Sequence, residues 1–246
     1  MDREAEPAPV LNEARKTTWL EVLVVIVSIV VFFALLLAEQ PHAPSIHREE
    51  SRRNLKLIGL ALHNYHDTHG MFPPAGIVRE DGTQILSWQA RLLPEIESGP
   101  AIIAQLDQNS AWDSPQNKVP CSIAIPQYMN PGIPSKTKGA ISHYAGNSQV
   151  FKINKSLRIG DIADGLSNTL FVGEVSEGLK PWADPTNARD PALGLGKTAD
   201  QFGGPFRGGT HFLMGDGSVR FISENIDKET LKALATPAGG EPLGEF

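Results

Sequence analysis

Cysteine is nearly absent: Cys121 is the single one in 246 residues. No internal disulfide can form, so the fold rests on burial alone even outside the cytoplasm. Zinc-type cysteine spacing is missing as well. Positive charge is scarce, with 22 Lys+Arg against 28 Asp+Glu and a formal net charge of -6. That balance excludes the broad basic surface that recruits nucleic acid. Gly-x-Ser-x-Gly, a phosphate-cradling glycine loop and His-Glu-x-x-His do not occur, so the motifs give no enzyme. Asp216, Gly217 and Ser218 are explained by turn chemistry without a nucleophile. Long apolar runs are missing too, with one exception.

That exception begins at Trp19. From Val22 to Ala38 there is no charge, no Pro and no Gly. As a helix rising ~1.5 Å per residue, residues 19–38 reach about 30 Å, the thickness of a bilayer's hydrocarbon. Apolar side chains fall on every face, unlike an amphipathic surface helix. A signal peptide has a shorter apolar region and a small-x-small cleavage site; here Leu37 and Glu39 spoil the site. The expectation is a transmembrane helix over 17–39, after a disordered cytoplasmic leader over 1–16. Arg3, Arg15 and Lys16 nearly balance Arg48, Arg52 and Arg53 across the helix. The closeness of Arg15 and Lys16 places the N-terminus in the cytoplasm. The remaining domain, 45–246, then lies outside the inner (cytoplasmic) membrane of a single-pass protein, and the lipid bilayer is its first partner. Glu21 sits about one turn inside the apolar helix, and two readings stay open. Its carboxylate reaches back to the headgroups, or it pairs with a positive group on a neighbouring subunit.

Beyond the run, Pro41 and Pro44 interrupt the helix at the membrane exit. A second helix is expected from near Ser45 to His69, because Leu55, Ile58, Leu62 and Tyr65 recur at three- and four-residue spacing. Gly70 is its stop. Short helices are expected at 88–93 and at 96–106, the second interrupted at Gly99-Pro100. Trp112 is expected in the core and Cys121 as a small buried hydrophobe. The proline-punctuated stretch 117–134 reads as extended, 169–175 as a strand, and the region up to Gln201 as a surface excursion. In 169–175, Leu170 and Val172 fall on one side and Phe171 and Gly173 on the other. Residues 206–222 read as a β-hairpin around a type I′ turn at Asp216-Gly217, and 226–235 as a closing helix. The 23 Gly and 19 Pro fit many turns rather than a helical bundle.

Two clusters carry ligand chemistry. His63, His66 and His69 lie three apart on one helix, but no carboxylate completes a metal motif, so a hydrogen-bonded face is expected. Asp161, Asp164 and Asn168 are oxygen-bearing side chains in a glycine-containing loop. Calcium takes such ligands, and Asx-turns use the same residues; both readings stay open. No other cofactor is implied.

Residues 17–26, with Glu21, resemble the amino-terminal helix of type IV prepilins and type II secretion pseudopilins. Lys16 stands where those families carry the Gly of the cleavage site, and Thr17 where they carry Phe. Cleavage by a prepilin peptidase is therefore not implied. The stretches Arg53–Pro74, Ser87–Pro94, Ala111–Asn117, Ile141–Asn147, Pro181–Pro185 and the hairpin resemble a planctomycete family of pseudopilin-like proteins. Its members join a prepilin-type helix to a domain of unknown function and are similar to type II secretion protein G. Phe206 falls where that family carries a histidine. The resemblance covers roughly 17–242. It implies an α+β, pilin-like fold with a long N-terminal helix packed on an antiparallel sheet bearing irregular insertions. It also implies a membrane-anchored structural or interaction role related to type II secretion or pilus-like assemblies, with other pseudopilin-like subunits as partners and Glu21 as the assembly residue. The alternative is a tethered extracytoplasmic module that binds a ligand or ion.

Overall fold

A computed structural model describes residues 19–38, 42–134, 139–244 and 246. Side chains at 21, 33–38 and 42–45 are outside that description, as is the leader expected at 1–16. The chain divides after Ala43 into two compact units.

In the first unit, α1 spans Trp19–Ala38. Its described side chains, Trp19, Leu20 and 22–32, are all exposed. Residues 22–32 make a continuous apolar cylinder roughly 16 Å long. Among the described residues no helix is long and apolar enough to cross a membrane.

The second unit is a mixed α+β structure. Its first helix, α2, spans His42–His69. Pro44 falls in the first turn, where its missing N–H removes no intrahelical bond. Leu55, Ile58, Ala61, Leu62 and Tyr65 form the buried stripe that the periodicity predicts. Gly70, at φ 72°, closes the helix, and its N–H donates to the His66 carbonyl at 2.7 Å. A short hairpin follows, β1 (Gly76–Val78) and β2 (Gln84–Ser87), and leads into α3 (Trp88–Arg91). Ser87 caps α3, its Oγ accepting from the Ala90 N–H at 3.0 Å. Gly99 and Pro100 open α4 (Gly99–Ile103) rather than interrupting a longer helix. Proline suits a first turn, and a Cβ on Gly99 would run into the Leu93 carbonyl. The stretch 117–134 is not simply extended: it makes two tight turns at Pro120–Ser122 and Pro126–Tyr128, each opened by its proline.

Next come β3 (Ile141–Ser142), β4 (Tyr144–Asn147), β5 (Leu170–Glu174), β6 (Lys180–Pro181), β7 (Ala188–Arg189), β8 (Gly209–Met214), β9 (Val219–Ser223) and α5 (Lys228–Ala235). The central sheet runs β7-β4-β5-β8-β9, antiparallel except for the parallel β4–β7 pair. One face carries Tyr144, Phe171, Val172 and Leu213 and packs with the stripe of α2. The other carries Leu170, Phe212 and Met214 with Leu231 and Leu234 of α5. Strict alternation in β5 fails at one place. A bulge between Leu170 and Val172 puts Phe171 and Val172 in the same core and Leu170 in the other. An inserted residue shifts the side-chain phase.

The β8–β9 turn also departs from expectation. Among the described residues Asp216 is not at positive φ, whereas Gly217 is, at 82°. Leu213 pairs with Val219 and the Met214 N–H donates to the Ser218 carbonyl at 2.8 Å, leaving a three-residue loop, Gly215–Gly217, with the Gly217 N–H on the Met214 carbonyl at 3.0 Å. This is a turn followed by a left-handed glycine, not a two-residue type I′ turn. The region before Gln201 is no mere surface excursion, since Asn187 and Arg189 are buried. β7 pairs with β4, and the Arg189 guanidinium donates to the carbonyls of Thr198, Gln201, Glu177 and Gly178. Trp112 is half-buried against the core. Cys121 is buried, and burial pushes its thiol up to about 11.

Candidate functional site

The densest buried polar cluster centres on Glu174, the last residue of β5, which is fully enclosed (0 % exposed). Register sets Tyr144 of β4 opposite it. His211 of β8 lies on its other side, and Ser51, one turn before the apolar stripe of α2, covers it. Ser51 Oγ donates to Glu174 Oε1 at 2.5 Å, and Asn130 Nδ2 to the same oxygen at 2.9 Å. The His211 backbone N–H donates to Oε2 at 2.8 Å, and its ring Nδ1 lies 3.3 Å from both oxygens. The Ser51 proton is committed to Glu174, so the Tyr144 hydroxyl, 2.9 Å away, donates to Ser51 Oγ. Burial raises the Tyr144 hydroxyl well above the ordinary phenol range, which keeps that proton in place. Gly204 is required beside this cluster, because a Cβ there would collide with Glu174 Oε2.

His143 supports the same region. Its Nδ1 accepts from the Asn130 N–H at 2.8 Å, so its proton sits on Nε2. Burial lowers its pKa and favours the neutral ring. Its Nε2 has no partner among the described residues.

A buried carboxylate is tolerated only when its lone pairs are met, and here donors arrive from α2, β8 and the loop at Asn130. The chemistry is that of a clamp. Ser51 Oγ bonds the carboxylate itself rather than a histidine ring, so it is not set up as an activated nucleophile. Glu174, Ser51, Asn130 and His211 are each 4 % exposed or less.

A second buried network ties the Ser87–Gln89 corner to β7. Gln89 Nε2 donates to Ser142 Oγ at 2.8 Å, and Asn187 Nδ2 donates to Gln89 Oε1 at 2.7 Å. Trp88 Nε1 donates to the Asn187 carbonyl at 3.1 Å. Trp182 Nε1 donates to the Ile123 carbonyl at 2.8 Å. These indoles gain their positions from such bonds as well as from area.

The residues singled out by sequence fall elsewhere. Asp161 Oδ2 accepts from the Arg158 N–H at 2.8 Å. Asp164 accepts from the N–H groups of Gly239 at 2.7 Å and Gly240 at 2.9 Å, pinning the C-terminal turn. Asn168 Nδ2 donates to the Asp164 carbonyl at 3.0 Å. The Asp161 and Asn168 bonds are local turn bonds, whereas those of Asp164 cross 75 and 76 residues of chain. No group of three or more His, Cys, Asp or Glu is placed to hold a metal among the described residues. His63 Nε2 lies 3.0 Å from the Gly215 carbonyl, His69 Nδ1 lies 2.9 Å from the Tyr65 carbonyl, and His66 packs on Phe72. His63 also meets Phe72 edge-on, so two of the three rings pack on that phenyl while His69 stacks on Tyr65. Glu21 is in α1, and its side chain lies outside the described residues.

Sequence reasoning missed Glu174, Ser51, Asn130 and His211 as a set. One signal was present: the strand 170–174 ends its apolar run on a carboxylate. Another was that the α2 spacing, extended one turn back from Leu55, lands on Ser51.

A family model described as protein of unknown function (DUF1559) matches residues 48–142 and 184–229, more than half of the chain. That match includes Ser51, Asn130 and His211, while Glu174 lies in the unmatched interval. No curated protein and no solved structure matches. The chain belongs to the DUF1559 family of proteins of unknown function.

Proposed function

We propose that the chain is a membrane-anchored, pseudopilin-like structural or interaction protein, with its α+β head outside the inner membrane. The observation that carries this reading is α1. Its side chains at 22–32, apolar except for Ser28, are exposed, a surface that water disfavours by about 25 cal/mol per Å² and that lipid accepts. The packing of α2 along a mostly antiparallel sheet supports the pilin-like arrangement. Glu21 is the residue to pair with a cation of a neighbouring subunit. Asp161, Asp164, His63 and His69, side chains that a tethered ion-binding module would use, are engaged in hydrogen bonds within the chain, which favours the structural reading.

The test is the intact mass of protein extracted from membranes. A mass that includes Met1 to Lys16 is expected, because Lys16 replaces the glycine a prepilin peptidase needs. Loss of residues 1–16 with a methyl group gained would instead place the chain among processed, filament-forming pilins.

A further inference from the structure

Arg189 and Arg91 are two partly enclosed guanidinium groups with opposite surroundings. Arg189 is wrapped by four carbonyls. Arg91, half-buried at the end of α3, makes no side-chain hydrogen bond or ion pair among the described residues, and its Nε is buried with no partner. A guanidinium presents five N–H donors in a fixed fork; the enclosed Nε is out of a ligand's reach, and the outer N–H groups are the ones left to meet one.

The guanidinium opens into a cleft of about 140 Å³. Leu86, Pro94 and Ile103 supply apolar walls, Gln108 a side-chain amide, and Tyr65 and His69 a stacked pair with ring centroids 3.9 Å apart. No carboxylate lines it. His69 Nδ1 can only donate to the Tyr65 carbonyl, which fixes the ring against Tyr65 and holds this wall rigid.

We propose that this cleft is a binding site for a small monocarboxylate. The Arg91 fork meets a carboxylate through two parallel N–H bonds, the geometry a planar guanidinium matches best. The apolar walls take a short hydrocarbon body. Gln108 is in reach of a hydroxyl or carbonyl on that body. At about 30 Å³ for each water-sized group, the volume fits a ligand of roughly five heavy atoms, well below a drug-sized pocket. Fully hydrated inorganic phosphate lacks the apolar part that would use Leu86 and Ile103.

The test is thermal unfolding of the full-length, detergent-solubilised protein titrated with sodium propionate, with sodium chloride and inorganic phosphate as matched anions. A saturable rise in Tm of about 3–5 °C is expected at ten times the dissociation constant, with propionate and not with chloride. Arg91→Met keeps the apolar stem of the side chain without the guanidinium and is expected to abolish the rise. Arg91→Lys keeps the charge without the fork and is expected to weaken binding at least fivefold. Because Arg91→Lys tests the site separately, a folding defect in Arg91→Met leaves the outcome readable. An equal response to propionate and chloride, an unchanged propionate affinity in Arg91→Lys, or tighter binding of phosphate than propionate would overturn the assignment.

Discussion

Glu174→Ala tests the clamp between α2 and the sheet. The substitution removes the acceptor for Ser51 Oγ, Asn130 Nδ2 and the His211 backbone N–H, all enclosed. Each stranded donor destabilises by about 1–3 kcal/mol, partly offset because one buried charge no longer needs compensation. The expected loss is about 3–5 kcal/mol, the range for removing one partner from a buried ionic set. At about 2–4 °C per kcal/mol for a domain of roughly 200 residues, Tm should fall by about 10 °C. Near-UV circular dichroism of the full-length protein reads the transition. Ser51→Ala removes one charge-assisted bond and strands the Tyr144 hydroxyl, so it should lose about 2 kcal/mol. The double variant should then show a coupling of at least about 1 kcal/mol. A Glu174→Ala transition within 2 °C of the parent (about the smallest shift worth 1 kcal/mol), or strict additivity with Ser51→Ala, would refute the clamp.

Further consequences concern packing and reactivity. In Gly173→Ala the new Cβ would meet the Phe202 ring at 2.6 Å and also the Phe212 ring. Rigid rings cannot withdraw, so a loss of about 1–3 kcal/mol is expected by urea unfolding, and an unchanged midpoint would contradict the packing of that face. Asp227→Ala deletes the cap that accepts from the Thr230 N–H at 2.9 Å and should destabilise by about 1 kcal/mol; Asp227→Asn should restore most of it. Cys121, with its thiol pushed up to about 11, is expected to resist alkylation at pH 8, where only about one thiol in a thousand is ionised. Labelling should rise steeply in guanidinium; rapid labelling of the folded protein would show that the site is open.

The elements with strong local signals were legible: the α2 stripe, the Gly70 stop, the strand at 170–174, and the β8–β9 hairpin. What escaped depends on long-range contacts. Glu174 reads locally as the end of a strand, and its donors come from residues 37 to 123 positions away. Arg189 reads as a loop cation until the parallel β4–β7 pair brings it under four carbonyls. The β5 bulge and the three-residue turn at Gly215–Gly217 are set by strand register, which a propensity argument does not fix. Conversely, Asp161, Asp164 and Asn168 carried a ligand signature in sequence, and their side chains serve turns. Asx residues make both patterns from the same composition.

Alkaline carbonate extraction of membranes from cells making the full-length chain tests anchoring most directly. A single inserted helix resists that wash, so the protein should stay in the pellet, while a variant with Asp at Val24, Val27 and Val31 should be released. Recovery of the unaltered full-length chain in the soluble fraction before any wash would contradict the account.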